Sequence, residues 1–213
     1  MALSKVNFNS LNVTPSASKF LAWDGDADAL AAADIGGALT LIATATASSS
    51  ATIDFTSGID STYKEYIFMF NNIHPASQAF LGFNFSIDGG SNYNAVKTST
   101  NFRAYHSEAG ASNLEYKDGD DIAQGTGLVL TAGNLGNAND EASSGYLHLF
   151  EPSSDTFVKH FIFRSSSVSS TPASFDCYVA GYVNTTSAVN GVEFKMSSGN
   201  IDAGTIQMFG VVK

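Results

Sequence analysis

Short runs in which apolar and polar residues alternate constrain this chain more than anything else in it. In SATIDF, Ala51, Ile53 and Phe55 alternate with Thr52 and Asp54. In AFLGFNFSI, residues Ala79, Leu81, Phe83, Phe85 and Ile87 fall on one side, with Gly82, Asn84 and Ser86 on the other. SFDCYVAGYV places Phe175, Cys177, Val179 and Val183 together, and GVEFKM does the same with Val192, Phe194 and Met196. A period of two belongs to a strand with one buried and one wetter face. EYIFMF, FVKHFIF and GTIQMFGVV are apolar on both sides, which suits central strands or an outer face covered by another subunit.

Turn signals separate these runs: SG, DGG, KDGDD, AGNLGNAND, SSG, NG and SSGN. About ten or eleven strands are expected, with no helix of ~10 residues. Residues 107–144 read as long loops flanking one short strand, LVLT. The fold class that follows is all-β: a two-sheet antiparallel sandwich, jelly-roll-like. No internal repeat points to a propeller or solenoid.

Residues 1–39 lack the alternation. They hold the one tryptophan, Trp23, an acidic cluster and the stretch ADALAAA, which predicts one or two helical turns ended by Gly36 and Gly37. This segment reads as an extended N-terminal arm or adaptor, and residues 40–213 as the sandwich domain. An arm too short for a core of its own would dock its tryptophan elsewhere.

Composition narrows the function. The 213 residues carry 20 acids and 10 bases, a net charge of −10, so a phosphate backbone is repelled and nucleic acid is not an expected partner. Only 14% of residues are charged, below the usual ~25%, with Ser, Thr, Asn and Gly in their place. Cys177 is the single cysteine and reads as a buried, inert thiol. The opening MALSKVNFNS has no apolar core of a signal peptide, and no run approaches the ~18 apolar residues of a membrane span.

Each motif with a chemical look has a plainer reading. SIDGGSNY, residues 86–93, fits the Asp-box of sialidase-type propellers, but it occurs once. The chain's two arginines, Arg103 and Arg164, cannot build a three-arginine carboxylate clasp. A hairpin turn accounts for it. Asp24, Asp26 and Asp28 have the spacing that opens an EF-hand loop, yet Ala29 and Ile35 stand where that loop needs Gly and Glu. KDGDD, 117–121, reads as a solvated acidic turn. His74, His106, His148 and His160 show no metal-ligand spacing. Asp54, Glu65, Glu115, Glu151, Asp176 and Glu193 are available as acids, but nothing in the sequence pairs them. No catalytic residue, metal or cofactor is expected.

Aromatic residues opposite the core-facing positions carry more weight. Tyr178 and Tyr182 point away from the Cys177 face, and Tyr146, His148 and Phe150 away from Leu147 and Leu149. With Trp23, the residues Tyr146, Phe150, Tyr178 and Tyr182 are the candidates for inner-sheet packing, a subunit interface or stacking on sugar rings.

The order of segments from residue 40 onward is itself distinctive. LIATATASSSATIDFTSGIDSTYKEYIFMFNNIHPAS leads to FSIDGGSNY, then to GYLHLFEPSSDTFVKHFIF and the ending GTIQMFGVVK. This resembles virion structural proteins of tailed bacteriophages, especially marine and cyanobacterial ones: tail, fibre or particle-surface proteins. The opening NFNSLNVTPSASKFLAWD resembles the leader on some of them. The resemblance implies a β-sandwich displayed on a virion, often as a homo-oligomer such as a trimer, beside other virion proteins, without enzymatic activity. The alternative reading of the chain is a carbohydrate-binding module that contacts a host-surface glycan.

Overall fold

The computed structural model describes residues 19–23, 30–34 and 38–212. The chain divides into two compact units, Met1–Ala38 and Leu39–Lys213. In the first, β1 (Lys19–Trp23) pairs antiparallel with β2 (Leu30–Asp34), Trp23 opposite Leu30. The helical turns expected over ADALAAA are therefore corrected where that stretch is described: Leu30–Asp34 is strand. Alanine favours helix by well under 1 kcal/mol per residue, and a partner strand outweighs that. Residues 24–29, with the three spaced aspartates, lie outside the described residues, as does the side chain of Trp23.

The second unit is a β-sandwich, and no helix occurs among the described residues. Its strands are β3 (Leu39–Thr46), β4 (Ile53–Phe55), β5 (Glu65–Pro75), β6 (Ala79–Ser86), β7 (Lys97–Ser107), β8 (Ser112–Tyr116), β9 (Ile122–Gly125), β10 (Val129–Leu135), β11 (Ser143–Phe150), β12 (Lys159–Val168), β13 (Ala173–Val183), β14 (Gly191–Met196) and β15 (Ile201–Val211). A large antiparallel sheet runs β3-β15-β5-β11-β12-β13-β7-β8, with β9 also on β7, and a small sheet runs β10-β6-β14-β4. The chain crosses between sheets from β3 to β7, again from β9 through β10 to β11, and again from β13 to β15 after the meander β11-β12-β13. That alternation makes the connectivity jelly-roll-like.

Phenylalanines join the two layers. Phe83 of β6 stacks on Phe163 at 5.4 Å and meets Phe161 edge-on at 5.5 Å, both on β12. Phe55, Phe68 and Phe194 continue the cluster, and all are buried. The runs read as apolar on both sides, β5, β12 and β15, are interior strands of the large sheet.

Several expectations are revised. Residues 107–144 are not mainly loop: β8, β9 and β10 lie there. The first two pair only with β7 and are largely exposed, so no buried face imposed alternation on their sequence. The turn after β6 is a corner, not a hairpin, because β6 pairs with β10 and β14 while the next strand enters the other sheet. There Ser86 Oγ accepts from the backbone N–H groups of Asp88 and Gly90, and Asp88 accepts from Asn92. Gly90 has φ +87°, and a Cβ on it would lie 2.4 Å from Thr56. Asn84 and Ser86, expected on a wetter face, are buried; Asn84 donates to the carbonyl of Thr126.

Cys177 is fully buried, and burial pushes its thiol up to about 12. Two lysines are buried as well, on either side of Val183: Lys159 and Lys97 are both its register partners. Lys159 donates to the carbonyls of Phe157 and Thr185, and Lys97 to that of Ala95. Burial pushes Lys97 down from 10.5 to about 8. Its ammonium therefore opposes folding most strongly below pH 8, and that penalty fades as pH rises to 10.5. Lys97→Met is expected to stabilise the protein at neutral pH, and its advantage over wild type to shrink across that window. Denaturant titrations of both proteins at several pH values check this.

Candidate functional site

Alternation along each strand of the large sheet gives it an outer face, and lateral register turns that face into rows. One row reads Gln207, Met69, Tyr146, Arg164, Tyr178, Phe102 and Tyr116, each the register partner of the next. The neighbouring row reads Leu41, Phe209, Ile67, His148, Ile162, Ala180 and Thr100. Of ten exposed large apolar side chains among the described residues, six lie on this one face: Leu41, Phe102, Leu114, Tyr116, Tyr146 and Ile162. Apolar exposure gathered in this way makes this face the candidate interaction surface.

Four of the five sequence candidates belong to this face: Tyr146, Phe150, Tyr178 and Tyr182. None packs between the sheets, so inner-sheet packing, the plainest sequence reading, does not describe them. Tyr178 sits between Arg164, whose guanidinium carbon is 4.7 Å from its ring centroid, and Phe102, stacked at 4.8 Å with a 3° tilt. These neighbours come from flanking strands on opposite sides, so both faces of the Tyr178 ring are covered and its edge points outward. A sugar stacking on Tyr178 would have to displace one of them. Phe150 lies with its ring 4.0 Å from that of His148 and lines a groove of about 510 Å³ with Phe157 and His160. The Tyr182 hydroxyl accepts from Gln124 Nε2 at 3.2 Å.

The face is close to neutral. Arg164 forks onto Asp176 with contacts of 3.0 and 2.8 Å, and the Tyr178 hydroxyl donates to the same carboxylate at 2.9 Å. The Arg164 hydrogen bonds hold Asp176 below the usual carboxylate range. Glu65 is paired with His148 Nε2 at 2.9 Å. Arg164 and Asp176 cancel one another, and the Glu65 carboxylate, held by the His148 imidazole, is the one formal charge that β5, β11, β12 and β13 leave on this face.

The other chemical candidates stay apart. Asp54 and Glu193 are register partners across β4 and β14, and burial raises the Glu193 carboxyl. Neither lines any of the cavities described here. No group of three or more His, Cys, Asp or Glu residues suited to a metal occurs among the described residues. In KDGDD, Asp121 accepts from the Tyr116 hydroxyl at 2.5 Å.

Sequence reasoning missed Phe102, Arg164 and Ile162, which complete the rows, and Asp176, which holds Arg164 from the next outward position along β13. For Ile162 a signal existed, because FVKHFIF is apolar on both sides. For Phe102 there was little, since β7 buries Lys97, Ser99 and Asn101 and turns Phe102 outward.

No family model, no curated protein and no solved structure matches this chain.

The two faces of β12 give a direct check. Ile162→Lys is expected to leave the chain folded, with the circular dichroism of the wild type. Phe163→Lys, one position along and fully buried, is expected to abolish folding, as read by circular dichroism.

Proposed function

We propose that this chain is a structural protein of a tailed-bacteriophage virion, a tail fibre, appendage or head decoration whose β-sandwich is displayed on the particle. Its action is assembly. Residues 1–38 attach it to the particle, and the outer face of the large sheet packs against further copies of the chain. The segment order from residue 40 supports the virion assignment, and the near-neutral aromatic face supports assembly as the mode of action.

Two physical arguments favour a second copy as the occupant of that face. A chain of net charge −10 repels its own kind everywhere except through a neutral patch, and this face pairs its charges internally. Its extent is also sufficient. Eight strands ~4.8 Å apart, crossed by the two rows above and by the row Ser144, Ser166, Asp176, Ala104 and Leu114, present roughly 700 Å², close to the ~800 Å² per partner of a stable interface. Covered ring faces, edge-out tyrosines and isolated apolar side chains such as Ile162 suit a protein surface better than a sugar ring.

The attachment role has a direct test. Deleting residues 1–38 leaves β3 whole, so the shortened protein is expected to remain folded and soluble but to be absent from purified particles assembled in its presence. Normal incorporation of the shortened protein would remove the attachment role. Absence of the full chain from any particle, by labelling and low-resolution imaging, would remove the virion assignment.

A further inference from the structure

The large sheet is wider than the small one, and β10, the edge strand of the small sheet, lies over its inner face at Phe175, Cys177 and Ser167, where a Cβ on Gly133 would come within 3.8 Å of each. Under that edge a second small core forms, of Ala173, Phe175 and Cys177 with Tyr105 packed on it. Beside it lies a cavity of about 320 Å³. Arg103 lines this cavity from an inward-facing position of β7, opposite Cys177 and Glu115 in register, where the pattern of a sandwich calls for an apolar residue. Its guanidinium carbon lies 4.5 Å from the Phe175 ring centroid, and its Nε donates to Glu115 at 2.5 Å. The side chain is only 18% exposed. Stacking and the Nε bond fix the fork, and no acceptor among the described residues meets its Nη groups.

Asp120 lines the same cavity with the opposite surplus. No hydrogen bond or ion pair among the described residues holds its carboxylate. Burial raises it, against the attraction of Lys117 and Arg103. On the far rim Gln78 donates to Ser170 at 2.7 Å, and Thr171 is exposed beside them. One cavity therefore presents unspent donors on Arg103 and unspent acceptors on Asp120, with side-chain amides and hydroxyls between.

The charges select the ligand. Arg103 and Lys117 are balanced by Glu115 and Asp120, so a phosphate or dicarboxylate would meet two carboxylates and a metal cation would meet two cations. An uncharged molecule whose groups both give and accept hydrogen bonds satisfies both surpluses. A cavity of about 320 Å³, at the small end of the roughly 300–1,000 Å³ of ligand pockets, suits a single sugar ring. We propose that this cleft binds a neutral monosaccharide unit, with Arg103 donating to ring or hydroxyl oxygens and Asp120 accepting from adjacent hydroxyls. The site is separate from the outer face and does not depend on the assembly reading.

The test uses the full chain, isotopically labelled. It is titrated separately with D-glucose, D-galactose, D-mannose and N-acetyl-D-glucosamine, and with inorganic phosphate as the charged comparison. At least one sugar is expected to bind with a Kd in the millimolar range and to shift the amides of Asp120, Ser170 and Thr171. Asp120→Asn is expected to weaken that binding at least tenfold without moving the denaturation midpoint. Gln78→Ala, on the opposite rim, is the second variant and is expected to lose affinity likewise. Tyr146→Ala, on the outer face, is expected to bind as wild type. Silence toward all four sugars, binding of phosphate in preference to them, or unchanged affinity in both cleft variants would overturn the proposal.

Discussion

A nine-stranded sheet packs here against a four-stranded one, and that mismatch governs the rest of the molecule. Phenylalanines of β6 and β14 meet those of β5 and β12 where the layers overlap, and hydrophobic burial there supplies the main stabilisation. Away from that cluster, where the edge strand β10 covers it, the inner face changes character. It carries buried serines such as Ser165 and Ser167, a second small core at Phe175, and Arg103. A cleft lies beside them.

The outer face follows from the same width. A broad sheet with a single covering layer leaves one side to solvent, and antiparallel sheets usually make that side polar. Here it carries Ile162, Tyr146, Phe102 and Leu41, with Arg164 and Asp176 spent on each other and Glu65 held by His148. In the reading proposed above, the surface that lacks repulsion is also the surface that assembles.

Much of this was legible in the sequence. Alternation located β4, β6, β13 and β14, and runs apolar on both sides located β5, β12 and β15, because each turns apolar residues to the core. It also placed Tyr146, Phe150, Tyr178 and Tyr182 opposite that core, and they share one face. Where burial and polarity part company the reading failed. β7 buries Lys97, Ser99 and Asn101 and exposes Phe102, so its pattern is inverted. β8 and β9 are edge pieces with no buried side, so SNLEY and IAQG passed as loop. Asn84 and Ser86 looked solvent-facing because the chain that covers them arrives from elsewhere in the sequence. The cleft beside Arg103 joins residues from β6, β7, β10 and the 169–171 turn, and only the folded register brings them together.

Sedimentation equilibrium of the full chain over a wide concentration range tests the central claim, that the neutral aromatic face joins copies of this protein. The account predicts a discrete oligomer that persists in high salt, because apolar contact and not charge holds it, and that falls to monomer when Ile162 and Phe102 are both changed to lysine. A chain that remains monomeric at every concentration, or an oligomer indifferent to those two changes, would contradict it.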